Sequence, residues 1–490
     1  MTVQVLVVVT YLLVLVAIGW YSSRRSTGTA EDYFLAGRSF GGIVLFMALF
    51  GTNVTAFGML GFPGFVYREG IGAFGFFGAA AALISPLLFI VLGYPIWNVG
   101  RRNGYITQSQ MFADRWGSQL VGFLFFALPT FYTFLYLSVG VLGGALAVEE
   151  IAKIPYVVAA AMVTGVAVLY TALGGMRGTA WTNVFQASVF LLFLVVACIG
   201  IAHSLGGGAH LHQRLVVEAP EALARPGAGI LSPASWAFGF LVGPASVIAF
   251  PHMFMRLLAA RDMTSMRRTI AVYPWALMLL FVPVTLIGLW GRVAEPGLIG
   301  KEADRILPLL VEAHLPTWLT AVGLAAVLAA VMSSIDAQLL SLSTMFTVDV
   351  VGRGKQVQVW PGRIALLLVA MAAFLVAWWR PASILKMALY IFSGYTLLIP
   401  IMVAAFFWRR STALAAVLAI VAGHVLLACY YSGALLGDAF ELSLPTFGVL
   451  PVVWCLLVEV VLLLLVSLAF GGQDNAGADR FATPFQGAGR

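Results

Sequence analysis

The sequence predicts an all-α polytopic membrane protein of about thirteen transmembrane helices, arranged as two inverted five-helix repeats. Composition is the first observation: hydrophobic residues make up 61% of 490 positions, charged residues only 10%, and the mean hydropathy is +0.99. Each membrane-spanning helix needs about 20 apolar residues, and water-soluble folds do not reach this balance. The second observation is a pair of long apolar segments, one in each half, that glycine and proline interrupt.

The predicted spans follow from the lengths and flanks of the apolar segments. They cover residues 3–21, 40–64, 73–98, 118–148, 155–172, 181–203, 233–250, 271–291, 317–347, 364–378, 387–407, 413–431 and 447–470. Arginine and lysine are roughly twice as frequent in one set of alternate loops as in the other. Because positive charge stays on the cytoplasmic side, the N-terminus is predicted outside and the C-terminus inside a cell membrane.

The most informative stretch is residues 47–64, MALFGTNVTAFGMLGFPG. Four glycines and a proline interrupt it, and two threonines and one asparagine lie between them. A helix that breaks inside the membrane exposes carbonyl and N–H groups, which is tolerated where they line a cavity or hold a ligand. The alternative is an unbroken glycine-rich helix that packs closely on its neighbours.

A second interrupted segment, FGFLVGPASVIAFPH, supports the broken-helix interpretation. The offset between the two breaks is about the length of five spans, and an odd number of spans inverts the second unit. This pattern describes the LeuT-like architecture. The predicted divisions are an extra N-terminal helix with a cytoplasmic loop (1–39), a first repeat (40–203), an outer loop (204–232), a second repeat (233–407), two C-terminal helices (408–470) and a cytoplasmic tail (471–490).

Several classes of site find no support in the sequence. Cys198, Cys429 and Cys455 lie in apolar segments without a CxxC pair, so neither a disulfide framework nor a metal site is indicated. His210 and His212 lie in the outer loop without an acidic or cysteine partner beside them, which favours solvated histidines. The charge of +7 reflects topology rather than nucleic-acid binding. The polar, glycine-rich tail is predicted to be disordered.

Four motifs resemble the sodium:solute symporters, a family that includes transporters of proline, pantothenate, acetate, sialic acid and sugars. They are DYFLAGRSFGG (32–42), the broken helix ending in LGFPG (60–64), YTALGGMRGTAWTNVFQ (170–186) and LAAVMSSIDAQLLSLSTMFTVDV (328–350). PHMFMRLLAARD (251–262) is similar to the cytoplasmic end of the family's second broken helix. The resemblance covers most of the chain and implies the LeuT-like fold.

The resemblance also implies a sodium site between the first break and helix 317–347. The matching ligands are the carbonyls of Gly51, Val54 and Ala330 and the hydroxyls of Ser333 and Ser334. Two adjacent hydroxyls in an apolar span suit a small hard cation, which prefers oxygen ligands. The alternative is that both serines donate to carbonyls of their own helix.

Two residues depart from the family pattern. Asn53 and Asn183 stand where relatives have aspartates that the family ties to sodium coupling or a second sodium. The intramembrane carboxylate near the serines is Asp336 instead, and an ionisable group at that depth is a functional hypothesis by default. Asp336 serves a second cation with Asn183, neutralises the first cation, or bonds to a neighbouring helix.

The solute is expected at mid-membrane between the two breaks. Candidate lining residues are Phe57, Tyr132, Thr133, Tyr136, Gly243, Ser246, Phe392 and Tyr395. Gly243 and Val247 replace aromatic residues of the proline carriers, which argues against proline, and no sugar-binding cluster of polar residues is evident. A small organic acid, with its carboxylate at a helix N-terminus, fits best.

The sequence therefore predicts a symporter that uses Na⁺ as its coupling ion and imports a small organic solute such as a monocarboxylate or pantothenate by alternating access. It is not predicted to be an enzyme, since clustered redox ligands within spans are missing. The alternatives are a proton-coupled, amino-acid or sugar symporter of the same fold, and a transporter-like membrane sensor. The sensor needs a cytoplasmic signalling domain, whereas only about twenty residues follow the last predicted span.

Overall fold

The chain folds into a bundle of α-helices, many of them long and apolar. The computed structural model describes residues 3–25, 27–224, 229–352, 358–378, 384–433, 442, 444–471, 476–481 and 485. The helices are α1 Val3–Ser23, α2 Ala30–Leu35, α3 Gly42–Asn53, α4 Phe57–Glu69, α5 Phe74–Asn103, α6 Gln108–Trp116, α7 Gln119–Ala152, α8 Tyr156–Ser204, α9 Gly208–Glu218, α10 Pro251–Leu258, α11 Met263–Ala294, α12 Ile306–His314, α13 Thr317–Met345, α14 Val359–Trp378, α15 Ile384–Thr396, α16 Ile399–Phe407, α17 Ala413–Tyr430, α18 Pro451–Phe470 and α19 Ala476–Phe481.

Helix α13 forms the centre of the bundle. About nine-tenths of its apolar span is buried, whereas just over a quarter of the spans of α1 and α18 is buried. It packs chiefly against α8, α7 and α1. Its sequence is rich in alanine and serine, and such small side chains let helix backbones approach one another closely. The polar groups of α13 therefore lie deep inside the molecule rather than against lipid.

The first predicted break is present. Helix α3 ends at Asn53, Val54 is extended (φ −86°, ψ 117°), and α4 then continues at an angle of 62°. Gly51 packs against the backbone of Asn183 in α8, where an added Cβ would lie 3.2 Å from the Asn183 carbonyl oxygen. The glycine at this position therefore lets α3 touch α8 beside the break.

The second predicted break is also present. Two 3₁₀ turns, Gly239–Leu241 and Ser246–Ala249, precede α10, which is bent by 49° relative to them. Gly243 between the turns has φ +153°, and a Cβ there would lie 2.0 Å from the ring of Phe77. Proline begins α10, where its missing N–H removes no intrahelical bond.

The number of spans is close to the predicted thirteen. Among the described residues, ten helices are long and apolar enough to cross a membrane, and the two bent pairs raise the number to twelve. The predicted spans 155–172 and 181–203 are joined in α8, which turns sharply at Gly175 (φ 54°, ψ −150°) without an intervening loop. The count of thirteen and the boundaries of the two repeats stay predictions.

Gly175 is the second glycine of the LGGMR motif, and the structure explains why glycine is needed there. A Cβ at this position would lie 2.7 Å from the carbonyl oxygen of Tyr33, so only glycine fits both the backbone conformation and the contact. Two residues later, Arg177 Nη2 donates to Asp32 Oδ1 at 2.6 Å. The DYF and LGGMR motifs, far apart in sequence, are thus in direct contact at the turn of α8.

The two broken helices are connected by a short backbone contact at one end of each. The Phe40 N–H donates to Ala259 O at 3.0 Å, and the Arg261 N–H donates to Phe40 O at 2.9 Å. Phe40, which precedes α3, and Ala260, which follows α10, thereby form a parallel β-bridge. The two ends predicted to be cytoplasmic are therefore held together by backbone hydrogen bonds.

The outer loop contains a helix, and the tail differs from the sequence expectation. Residues of the outer loop form α9, whose apolar Leu211 and Leu215 are buried. In the tail, α19 packs on α6: Arg480 contacts Asp114 at 2.6 Å, and the Phe481 side chain is only 1% exposed. Burial and Asp114 raise the pKa of Tyr105, whose hydroxyl donates to the same carboxylate. Residues 476–481 of the tail are therefore a docked helix, because charged and aromatic side chains there contact the bundle.

Candidate ion and solute site

The break after α3 supplies backbone oxygen atoms. The helix ends at Asn53, so the carbonyls of its last turn lose the partners that a continued helix would provide. The Val54 N–H still bonds to Phe50 O at 3.3 Å. The carbonyl of Gly51, one residue further along, accepts from the neighbouring helix α13 instead.

That donor is Ser333. Its Oγ lies 2.7 Å from Gly51 O in α3 and 2.8 Å from Ala330 O in its own helix. Ser334 Oγ donates to Val331 O at 2.8 Å, within its own helix. The two alternatives from sequence thus both apply: one serine faces the break, and the other bonds back to α13.

The structure brings together most of the predicted sodium ligands. Gly51, Ala330 and Ser333 share hydrogen bonds, so two carbonyl oxygens and one hydroxyl oxygen converge at a single point. Val54, which follows α3, and Ser334 of α13 are each only 1% exposed. Neutral oxygens that converge in a buried site are the ligand type that a hard monovalent cation requires.

Asp336 lies in a polar cluster beside these oxygens. Its Oδ2 accepts from the hydroxyls of Tyr170 and Thr182, both at 3.1 Å. Its Oδ1 lies 3.9 Å from Arg256 Nη2, and both side chains are essentially inaccessible to solvent. A charge in this setting is tolerated only with charged or polar partners, and Arg256 and two hydroxyls provide them.

Asn183 joins the same cluster. With its amide oxygen facing Arg256, it accepts from both terminal guanidinium nitrogens at 2.6 and 2.8 Å, and its amide nitrogen lies 3.3 Å from Asp336 Oδ2. This orientation avoids placing two donors against each other. Arg256 also donates to the carbonyl of Ala48 in α3. The cluster therefore connects α8, α13, the second broken helix and the first.

Asn53 lies elsewhere. It lines a small cavity between the two breaks, together with Val54, Gly58, Val247 and several aromatic rings. The cavity volume is about 30 Å³, room for about one water molecule. An organic solute therefore needs side chains to move before it can bind here. Of the three residues predicted for a second cation or for coupling, the structure brings only Asn183 and Asp336 together.

Four of the predicted solute residues line this cavity: Phe57, Tyr136, Gly243 and Phe392. Tyr136 OH shares a hydrogen bond of 2.9 Å with Thr55 Oγ1, so its hydroxyl is held at the first break. The ring of Phe392 lies 5.7 Å from that of Phe57. The cavity wall is thus largely apolar and includes several aromatic rings, with Asn53 and Tyr136 as polar members.

The other four lie outside the cavity lining. Thr133 and Tyr395 share a hydrogen bond with each other, and Tyr395 OH also bonds to Pro129 O at 3.2 Å. Tyr132 packs against His424, and Ser246 Oγ donates to Gly243 O at 2.7 Å. Each side chain is engaged in holding helices or turns together, and their role at the solute site stays a prediction.

Sequence reasoning missed Arg256 and Tyr170 as partners of Asp336. A signal was available for Arg256, because it is the single charged residue of the apolar segment PHMFMRLL and needs a buried counter-charge. Tyr170 carries no comparable signal, since buried tyrosines are common in helix bundles. Phe77, Phe250 and Phe281 also line the cavity, and nothing in their spacing distinguishes them from packing residues.

Comparison with known proteins agrees with this architecture. A model of the sodium:solute symporter family matches residues 33–423. The chain is 31% identical to the sodium/pantothenate symporter of Escherichia coli (strain K12) over 484 residues, which covers 95% of this chain and 96% of that protein. It is 25% identical to the sodium/proline symporter of the same strain over 432 residues, or 82% of each.

A solved structure of a Na⁺-coupled sialic acid symporter, in a substrate-bound outward-open state, superposes with a TM-score of 0.80 at 19% identity and covers 97% of this chain and 99% of that one. At this identity the likeness concerns the fold alone. The match to the family model and the 31% identity to the sodium/pantothenate symporter show family membership as well as fold, because both extend over most of the chain. The chain therefore belongs to the sodium:solute symporter family, and sodium is its coupling ion.

Proposed function

We propose that this protein imports a small organic acid, with pantothenate as the favoured solute, in symport with sodium bound between α3 and α13. The observation that carries the ion site is the position of Ser333 Oγ, which reaches a carbonyl of the broken helix and one of its own helix. A sodium ion entering between these groups would replace the hydroxyl proton as the partner of both carbonyls. Val54 O and Ser334 Oγ are the proposed further ligands.

The second break offers a place for a carboxylate. The first bond of α10 runs from Phe254 N to Phe250 O, so the N–H groups of His252 and Met253 precede it. N–H groups at a helix start attract anions, and the helix dipole favours a negative charge there. Phe250, the residue before α10, lines the cavity, which supports a carboxylate at this end.

The rest of the cavity suits an apolar body. Its wall includes the rings of Phe57, Phe77, Phe250, Phe281 and Phe392, and its polar members are an amide and a phenol. Pantothenate combines a carboxylate, a branched alkyl group and a few hydrogen-bonding groups, and the 31% relative is a pantothenate symporter. The single amide and phenol also favour a small solute over a sugar with many hydroxyls.

The test is uptake by purified protein in proteoliposomes. Labelled pantothenate, acetate and proline are compared under an inward sodium gradient, an inward proton gradient without sodium, and no gradient. We expect accumulation of pantothenate with sodium only. Accumulation driven equally by protons would overturn sodium coupling, whereas sodium-driven accumulation of proline in preference to pantothenate would overturn only the solute assignment.

A further inference from the structure

A groove on the outside of the bundle lies between α1 and the part of α8 that follows the turn at Gly175. Its volume is about 720 Å³, and its wall is mainly apolar. Ile18, Tyr21 and Arg25 line one side, and Arg177, Trp181 and Phe185 line the other. Tyr21 and Trp181 are about half exposed, so the groove opens to the surroundings of the bundle. Because both helices cross the membrane, those surroundings are lipid.

The groove has the length of one lipid leaflet. On one side it extends from Val14 in α1 to Arg25, two residues beyond the end of that helix, and on α8 from Arg177 to Ser188, which is eleven residue steps along the helix. At 1.5 Å per residue, this is about 16 Å, close to half of the ~30 Å hydrocarbon thickness of a bilayer. The apolar end therefore reaches about the membrane centre when the charged end lies at the interface.

The two arginines lie at the same end of the groove, with the aromatic residues beside them. The Arg25 guanidinium lies over the Tyr21 ring at 4.9 Å from its centroid. Aromatic residues and arginines gather at membrane interfaces, where rings rest among the headgroups and cations meet phosphates. The arginine distribution along the chain predicts that this end is cytoplasmic.

The charges at this end match a single phosphodiester. Arg177 Nη2 is bound to Asp32, but its Nε is buried and has no hydrogen-bond partner among the described residues. Arg25, Arg177 and Asp32 together carry one net positive charge, and a phosphodiester carries one negative charge. An N–H donor without an acceptor is costly when buried. The Arg177 side chain as a whole is 30% exposed, so a turn of the guanidinium toward the groove would bring Nε to a lipid phosphate oxygen.

We propose that this groove binds one anionic phospholipid of the leaflet predicted to be cytoplasmic, with an acyl chain between α1 and α8 and the headgroup between Arg25 and Arg177. The binding is independent of the transported solute. It would hold α1 against the segment of α8 that follows the turn at Gly175. That segment carries Thr182 and Asn183, which belong to the buried polar cluster on its other face.

The test uses the full chain in phosphatidylcholine nanodiscs with and without phosphatidylglycerol. Native mass spectrometry counts the phosphatidylglycerol retained, and thermal unfolding measures its effect on the melting temperature. We expect one retained molecule and a higher melting temperature for the unmodified protein. Arg25→Gln should weaken retention about fivefold, the effect of one arginine at an anionic surface.

Two further variants separate a built site from diffuse attraction. Arg24→Gln removes the same charge one residue away, where the guanidinium stacks on Trp20 instead of lining the groove, and should retain the lipid. Ala17→Trp fills the apolar end at an exposed position and should displace the lipid without changing the charge.

Equal loss in both arginine variants, or full retention in Ala17→Trp, would overturn the proposal. A further control adds inorganic phosphate to phosphatidylcholine nanodiscs. Phosphate supplies the anion without an acyl chain. Stabilisation by phosphate equal to that by phosphatidylglycerol would show that the arginines bind an anion rather than a lipid. That result would overturn the proposal as well.

Discussion

The two broken helices are both interrupted within an apolar segment, but different side chains lie opposite the two breaks. At the first break, Gly51 O meets Ser333 Oγ of α13, and the polar cluster of Asp336 lies close by. At the second break, Gly243 lies against the ring of Phe77, and the side of the shared cavity toward this break is apolar, with Val247 and Phe250. Both breaks free backbone groups from helical hydrogen bonds. The side chains opposite each break therefore decide whether it suits a cation or an organic molecule.

The local sequence at the two breaks differs in the same way as the side chains opposite them. The first break contains Thr52, Asn53 and Thr55, whose short polar side chains sustain hydrogen bonds in an interrupted helix. The second contains glycine, proline and a serine that bonds back to Gly243 O. The two breaks are joined by Arg256, which follows the second break and donates to Ala48 ahead of the first.

The largest effect is expected from Asp336→Asn, which removes the carboxylate that lies 3.9 Å from Arg256. The amide keeps the shape and can still accept from Tyr170, but it leaves the buried Arg256 without a counter-charge. Breaking one side of a buried ion pair costs about 3–5 kcal/mol of unfolding free energy. We expect a markedly lower melting temperature, and also a higher sodium concentration for half-maximal uptake.

Asp304→Asn is the matched control, because Asp304 pairs at 3.0 Å with Arg68, fourteen residues beyond Val54 at the far end of α4. It should lower the melting temperature less and leave the sodium dependence unchanged. If Asp336→Asn also leaves the sodium dependence unchanged, the role of Asp336 is structural only.

Ser333→Ala tests the first break alone. Removal of the hydroxyl takes one oxygen from the proposed ion site in a buried setting, at a cost of about 1–3 kcal/mol. The sodium concentration for half-maximal uptake should rise by about 5- to 150-fold. Ser341→Ala, which removes a hydroxyl that donates to Gln338 O two turns further along the same helix, should leave it unchanged. Equal shifts in both variants would contradict the site.

Gly243→Ala tests the second break alone. The added Cβ would lie 2.0 Å from the Phe77 ring at a backbone conformation that alanine rarely adopts, so the cavity wall has to shift. Overpacking of this kind costs about 1–3 kcal/mol, and we expect solute affinity to fall roughly tenfold. Sodium-dependent thermal stabilisation should persist. Gly165→Ala in α8, with open space around it, is the control. If Gly243→Ala alone loses the thermal stabilisation by sodium, the second break also affects sodium binding, which contradicts the prediction.

The smallest effect is expected at the tail. Arg480→Gln removes an exposed ion pair with Asp114, and exposed pairs contribute little because water screens them. Sodium dependence and solute affinity should match those of the unmodified protein, with at most a slightly lower melting temperature. A change in either transport parameter would mean that the docking of α19 on α6 influences the breaks.

Sequence alone predicted the features that rest on backbone chemistry. Both breaks follow from glycine, proline and hydroxyl residues within apolar segments, and their presence in the structure confirms that interpretation. The sequence also pairs Asn183 with Asp336, which lie together in the structure, and a second cation at this pair stays a prediction. These predictions succeeded because a break or a buried carboxylate is costly in a membrane, so its residues stand out against an apolar background.

Other features depend on helix rotation, which an apolar sequence encodes weakly. Tyr132 and Tyr395 lie on the expected helices but turn toward other helices rather than the cavity. When every face of a helix is hydrophobic, periodicity does not distinguish the face toward the solute from the face toward a neighbour. The ordered tail was missed for another reason, because its docking depends on a few long-range contacts of Phe481 and Arg480.

The aromatic cavity has a consequence for leakage. Protons cross membranes along chains of hydrogen-bonded water, and a space of about 30 Å³ bordered by phenyl rings holds at most the beginning of such a chain. We therefore expect that this space does not conduct protons, so that a proteoliposome containing the protein keeps an imposed pH difference. A cell that drives import with a sodium gradient would then not dissipate its proton gradient through the idle carrier.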